Sequence, residues 1–164
     1  MTRDTRTQRS RIGGIDVGRG APSFASTLAT RERMQSQSRR DTGPELALRR
    51  ALHARGMRYR VDVPPIASLR RRADVVFPRQ KIAVFVDGCF WHACPQHSRS
   101  AKSNAAFWSE KLARNAARDT ETDECLTARG WCVIRVWEHE PPETAAHRIA
   151  DVVAGRRSEN ITTP

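Results

Sequence analysis

Two short apolar runs, ADVVF at 73–77 and KIAVFVD at 81–87, are separated only by Pro78, Arg79 and Gln80. Runs rich in β-branched and aromatic residues, joined by so few others, predict an antiparallel hairpin connected through Arg79 and Gln80. The second run is almost continuously apolar, as a strand covered on both faces must be, so it belongs at the centre of a sheet with helices on either side. A hairpin also brings its open ends together. Asp74 opens the first strand and Asp87 closes the second, so two carboxylates are expected side by side at one edge of the sheet.

The remaining segments fit around that hairpin. RYRVDV at 58–63 reads as a short alternating strand, PPIASLRRR at 64–72 as a loop, and WCVIRVWE at 131–138 as a further buried strand. DTGPELALRRALHARG predicts a helix: Asp41 or Thr42 can cap it, and Pro44 suits a first turn whose N–H groups have no partner. Leu46, Ala47, Leu48, Ala51 and Leu52 give it an apolar face, and Gly56 marks its end. Residues 104–130 lack Pro and Gly until Gly130 and read as one long helix, and PPETAAHRIADVVAG at 141–155 as a last one. The order predicts an α/β domain with a mixed central sheet flanked by helices.

With 164 residues the chain suits one domain. Residues 1–28 mix Arg, Gly, Ser and Thr without a period and are expected to form a disordered basic arm; the domain proper is placed at 29–155 and a flexible tail at 156–164. From Thr30 a short helix carrying Met34 is expected. Formal net charge is +11 and the pI about 11.0, which draws the protein to polyanions, nucleic acid foremost. Arg and Ala abundance can reflect a GC-rich genome, but the charge acts whatever its origin. Residues 1–40 hold nine Arg against three acids, and Arg70, Arg71 and Arg72 run straight up to Asp74. No apolar run reaches about 18 residues, so neither a membrane span nor a secretory leader is expected. The chain is placed in the cytoplasm, where four cysteines are more often metal ligands, reactive thiols or core residues than disulfide partners.

The stretch FVDGCFWHACPQHS at 85–98 concentrates the chemistry. Cys89, Cys94 and His97 form C-x4-C-x2-H, a spacing from which a loop can present three ligands to one zinc ion. His139, just past the last strand, is a fourth if that strand lies beside KIAVFVD with both ends pointing the same way. A closed set of this kind is structural. Cys125 and Cys132 are expected in the core. His92 remains over as a candidate general base. Asp74 and Asp87, with Glu45 on the capping helix, resemble a hard-oxygen site for Mg²⁺, an ion that polarises a phosphodiester. Phe90 and Trp91 are adjacent and cannot both point inward on a regular element. On a basic protein, such rings and Trp108 suit stacking on bases or wedging between them, although an aromatic plugging the core beneath the loop is the commoner case. Trp108, Lys111, Asn115 and Asp119 form one stripe along the long helix, which by itself reads as a solvated face.

Taken together, DT-x2-E at Asp41–Glu45, ADVVF, FVD, GCFWH at 88–92, AFW-x2-K-x3-N-x3-D at Ala106–Asp119 and GW-x-V-x-x-VWE at 130–138 resemble the very short patch repair (Vsr) endonucleases. The resemblance runs from about Thr30 to His139, in order and in spacing. It implies a restriction-endonuclease-like fold with a structural zinc loop. The activity implied is Mg²⁺-dependent nicking of duplex DNA 5′ to the T of a T:G mismatch left by 5-methylcytosine deamination. By that resemblance Asp74 and the Val86 carbonyl hold Mg²⁺, His92 is the general base, Glu45 supports the cation's water shell, and Asp119 is a supporting acid. Phe90, Trp91 and Trp108 form the wedge beside the mismatch; Met34 enters the opposite groove; Arg39, Lys111 and Asn115 contact DNA. The zinc set Cys89, Cys94, His97 and His139 carries over with exchanges between Cys and His that leave a sound Cys₂His₂ site. Asp87 stands where a familiar member has an active-site histidine, and a carboxylate there could become a direct metal ligand. A monomer is expected, associated with the nucleoid, with mismatch-recognition proteins as partners implied by the family alone. Two alternatives stay open: a nuclease of the same fold acting on other mismatched or damaged DNA, and a zinc-stabilised DNA-binding module that no longer cleaves.

Overall fold

The structure is a computed structural model that describes residues 40–97 and 104–162. The expected arm at 1–28, the short helix from Thr30, Met34 and Arg39 lie outside the described residues. The elements in chain order are α1 (Gly43–Ala54), β1 (Arg60–Val63), β2 (Ala73–Phe77), β3 (Ile82–Asp87), α2 (Ala105–Thr127), β4 (Cys132–Trp137) and α3 (Pro142–Thr162). The four strands form one sheet in the order β1-β2-β3-β4. β1 and β2 run antiparallel, as do β2 and β3, with Val75 opposite Val84 and Phe77 opposite Ile82. The hairpin of the sequence reading is present, with Lys81 drawn into the turn: its N–H donates to the Pro78 carbonyl at 3.2 Å and its φ is 51°.

β4 lies parallel to β3, from Ile82 beside Cys132 to Asp87 beside Trp137. A parallel neighbour needs a crossover, and α2 supplies it. The mixed sheet is therefore covered on both sides, which is why β3 has few polar residues. Ile82 and Val84 of β3, with Val75, Phe77, Ile134 and Val136, pack on Leu48 and Leu52 of α1 and on Ala145, Ala146, Ile149 and Val153 of α3. The alternate residues Ala83 and Phe85, with Val76 and Val133, face the side closed by Leu126 of α2 and Trp131. Complete burial of a residue such as Leu48, Leu52 or Ile149 contributes roughly 1.5–3 kcal/mol.

Helices α1 and α2 stop in the same way, at the glycines the sequence marked. Gly56 and Gly130 take φ of +70° and +75°, and the residue after each, Met57 or Trp131, donates its N–H back to the carbonyl of Leu52 or Leu126. A side chain at either glycine would be strained in this left-handed cap. Other expectations need adjustment. Leu46 lies on the exposed part of α1. Cys125 and Cys132, expected in the core, are only half-buried, because each sits at the margin of an apolar face. The last helix continues to Thr162, past the boundary set at 155. Arg156 ties it down by donating to the carbonyls of Gln80 and Gly130, so residues 156–162 are helical where a flexible tail was expected.

Candidate functional site

Strand directions put the chemistry at one edge. β3 and β4 are parallel, so Asp87 at the end of β3, the loop after it, and His139 just past β4 emerge together. β2 runs the other way, so its early residue Asp74 is carried to the same edge. Asp74 Oδ2 accepts a hydrogen bond of 2.7 Å from the Val86 N–H. The expected meeting of the hairpin ends is thus made by a side chain continuing the ladder.

Asp74, Val86, Asp87, His92, Asp119 and Arg135 line a cavity of about 260 Å³ whose rim also carries Arg71 and Arg72. His92 Nδ1 lies 2.6 Å from Asp119 Oδ2 on α2. That contact commits one ring nitrogen to the carboxylate and leaves Nε2 as the nitrogen that can act on a substrate. Asp87, 3 % exposed, accepts from Arg135 through both oxygens at 3.0 and 2.9 Å and lies 3.6 Å from His92 Nδ1. Asp87 is therefore matched to a guanidinium. Glu45 is also buried and already occupied, accepting from the Asp41 N–H at 2.9 Å, the Thr42 hydroxyl at 2.8 Å and Arg49 at 3.0 Å. It closes the first turn of α1 in the manner of a capping box.

Burial, the main cause, pushes the Asp74 carboxyl up to about 6 against the pull of the Val86 N–H, and the charges of Glu45 and Asp87 add to it against that of Arg49. A folded-state pKa above the ordinary carboxylate value means that this group's favourable contribution is complete below about pH 4 and is lost as pH rises through about 6. Asp74→Asn, which cannot ionise, is expected to be more stable than the parent by ~1–3 kcal/mol above pH 7. The difference should vanish near pH 4. Denaturant titrations at the two pH values without added divalent cation check it, and equal stabilities at high pH would contradict the assignment. A cation beside Asp74 would relieve the same cost, and a carboxylate with a backbone carbonyl is the donor set hard cations take.

The loop after β3 and the residue just past β4 form a second cluster. Cys89, Cys94, His97 and His139 bring their ligand atoms within 4.8 Å of one another. Cys89 Sγ is 3.0 Å from His139 Nδ1 and 4.0 Å from His97 Nδ1, and Cys94 Sγ is 3.9 Å from each. These separations match the edges of a tetrahedron around one metal ion, so the cluster could hold a metal. Burial, then Cys94 and Glu138, push the Cys89 thiol up to about 11, an environment hostile to a bare thiolate and corrected by a cation. The loop is tight. Ala93 has φ 52°, and a Cβ at Gly88 would meet Trp91 Cδ1 at 3.2 Å.

The aromatic residues gather where the loop after β3 meets the start of α2. Phe90, Trp91 and Trp108 contact one another edge to face with ring centroids 5.2–5.9 Å apart, and Phe107, 52 % exposed, leans on Trp108 at 5.4 Å. Lys111 Nζ lies over the rings of Trp91 and Trp108 at 4.9 and 5.1 Å. Asn115 donates to the Trp91 carbonyl at 3.1 Å, so this member of the stripe fastens the loop to α2. Sequence reasoning missed Arg135, Asp123, Glu138 and Phe107. Arg135 left a signal, a lone charge inside the apolar run VIRVW that required partners. Glu138, which accepts from the Cys89 N–H at 2.7 Å, left none.

Residues 26–98 match the family model described as DNA mismatch endonuclease Vsr. The type II nicking enzyme V.NaeI of Lentzea aerocolonigenes is 45% identical over 122 residues, 73% of this chain and 74% of that protein. The type II nicking enzyme V.XorIIP of Xanthomonas oryzae is 37% identical over 118 residues, covering 69% and 82%. The DNA mismatch endonuclease Vsr of Escherichia coli K12 is 37% identical over 114 residues, covering 67% and 70%. Fold, site and relatives together define a DNA endonuclease related to nicking enzymes. The chain belongs to the Vsr family of DNA mismatch endonucleases. Among the described residues no helix is long and apolar enough to cross a membrane.

Proposed function

We propose that the protein is a Mg²⁺-dependent, zinc-stabilised nickase that cuts one strand of duplex DNA 5′ to the T of a T:G mismatch. The observation that carries this reading is the convergence of Asp74 and His92 on one cavity, with His92 carried by the same loop as Phe90 and Trp91 of the half-buried aromatic cluster. Zinc is assigned to Cys89, Cys94, His97 and His139, and Mg²⁺ to Asp74 and the Val86 carbonyl. When bound, Mg²⁺ supplies electrostatic stabilisation of the charge that develops on the phosphate oxygens.

The chain's own groups do the rest. Arg71 and Arg72 at the rim attract the DNA backbone. Phe90, Trp91 and Trp108 enter the stack at the mismatch, where a weak pair opens at a lower cost than a matched one. Lys111 holds those rings and adds positive charge near the phosphates. Asp119 fixes His92 through Nδ1, so Nε2 takes the proton from the attacking water. Glu45 and Asp87 shape the field at Asp74. The protein works as a monomer on chromosomal DNA in the cytoplasm, with mismatch-recognition proteins as candidate partners.

Duplexes carrying T:G, U:G, T:A and C:A at one position, in several flanking contexts, test the specificity. A single nick 5′ to the T, with T:G cut at least about tenfold faster than T:A, is the expected outcome, equivalent to about 1.4 kcal/mol of discrimination in the transition state. Equal cutting of paired and mispaired duplex would replace this reading with a general nuclease, and binding without product on every substrate with a DNA-binding module.

A further inference from the structure

A charge in a covered strand must be answered by the elements around it, and Arg135 is answered by three carboxylates from two directions. Phe85 and Asp87 of β3 lie on the face of the sheet turned to α2, beside Arg135 of β4. The guanidinium rests over the Phe85 ring at 5.2 Å. One terminal nitrogen donates to both oxygens of Asp87. Nε and the other terminal nitrogen fork onto Asp123 of α2 at 3.0 and 2.9 Å, and the latter lies 3.4 Å from Asp119 Oδ1. The opposite oxygen of Asp119 receives His92 Nδ1 at 2.6 Å. The two oxygens of Asp119 are thus held from opposite sides, and Arg135 joins the end of β3, the end of β4 and the middle of α2.

We infer that Arg135 is a positioning residue for the reaction: it anchors Asp119, and through it the ring of His92, in addition to neutralising the buried Asp87. The inference rests on the proposed role of His92. Two jobs are combined in one side chain, and they separate by mutation. If neutralising Asp87 were all, removing both charges together would restore the protein, because a neutral Asn and Gln leave no buried charge and can hydrogen-bond to each other. If Asp119 also depends on Arg135, the doubly neutral protein recovers the stability that an unpaired buried Asp87 would cost but leaves Asp119 free to swing, and His92 loses its fixed tautomer.

The test uses the full chain with zinc bound. Arg135→Gln is expected to lower both Tm and single-turnover nicking. Asp87→Asn combined with Arg135→Gln is expected to regain most of the Tm that Arg135→Gln loses, to bind duplex DNA within about twofold of the parent, and to nick about tenfold or more slowly. Nitrogen-15 NMR of the His92 ring gives a readout that needs no cleavage: one tautomer with the proton on Nδ1 in the parent, and a mixture in the double variant. If the double variant does not fold, Arg135→Lys is read in its place, since a single ammonium keeps the charge beside Asp87 but cannot hold three carboxylates. Nicking at the parental rate, or an unchanged single tautomer, in the variant read would overturn the inference. A parent that cuts no DNA would remove the nuclease reading and leave Arg135 to be judged by the NMR alone.

Discussion

Asp74→Ala is expected to abolish nicking of T:G duplex while leaving affinity for that duplex within about twofold of the parent. The carboxylate stands at the open end of the β2–β3 hairpin, bonded to the Val86 N–H and close enough to Glu45 and Asp87 to feel their charges. Nothing about this position reads as structural necessity, since an ionised group in such surroundings is held at a cost. On the proposed mechanism, removing it takes away the ligand assigned to the cation, and with it several kcal/mol of transition-state stabilisation, or about a thousandfold or more in rate. Binding should survive because the aromatic cluster and the rim arginines, Arg71 and Arg72, do not depend on the Asp74 carboxylate for their own place. Single-turnover nicking and a fluorescence binding titration of the same preparation check both halves. A variant that still cuts at a tenth of the parental rate or faster would remove the catalytic assignment.

Loss of the zinc proposed for the cysteine loop is expected to act on the fold. The loop from Gly88 to His97 packs few apolar side chains, keeps Ala93 in a left-handed conformation, and contains Cys94 at 1 % exposure. Asn115, Glu138, Asp119 and Trp108 fasten its first half, and the convergence of Cys89, Cys94, His97 and His139 is what draws in the rest. Structural zinc contributes on the order of 10 kcal/mol in small zinc domains, where it supplies most of the folding energy. In this larger domain a several-kcal/mol share corresponds to a fall in Tm of about 10 °C or more on chelation or in Cys94→Ser. Because Phe90, Trp91 and His92 are carried by the same loop, nicking should fail in parallel. Elemental analysis should find about one zinc per chain. A metal-free protein with the Tm and activity of the parent would show that the cluster is only a group of polar side chains.

Much of the frame was legible because it depends on local signals. The hairpin followed from two apolar runs and a short turn, and both helix stops from Gly56 and Gly130; a β4 parallel to β3 was only the condition set for His139 to reach the cysteine loop, and the register meets it. Asp74 beside the end of β3 followed from hairpin geometry alone. The pairing of His92 with Asp119 could not be read from spacing, since 27 residues separate them; the family resemblance supplied it as a supporting acid. What stayed hidden depended on contacts between faces. Asp87 was expected as a possible ligand for the cation, but its register beside β4 delivers it to Arg135. Asn115 was expected to contact DNA, and in the free protein its amide also donates to the Trp91 carbonyl, a loop contact that its place in the stripe did not announce. Glu45 was expected to support the cation's water shell, and its nearest partners are the cap of its own helix and Arg49. In each case the chain reads the same; only the third dimension decides which polar group answers which.

The most direct measurement is anomalous diffraction from crystals of the protein with T:G duplex and Mn²⁺ in place of Mg²⁺. The expected result is a manganese peak about 2.0–2.3 Å from an Asp74 carboxylate oxygen and the Val86 carbonyl, touching the phosphate 5′ to the T, with His92 Nε2 turned to that phosphate. A peak seated on Asp87 alone, or a scissile phosphate lying away from both Asp74 and His92, would contradict the account.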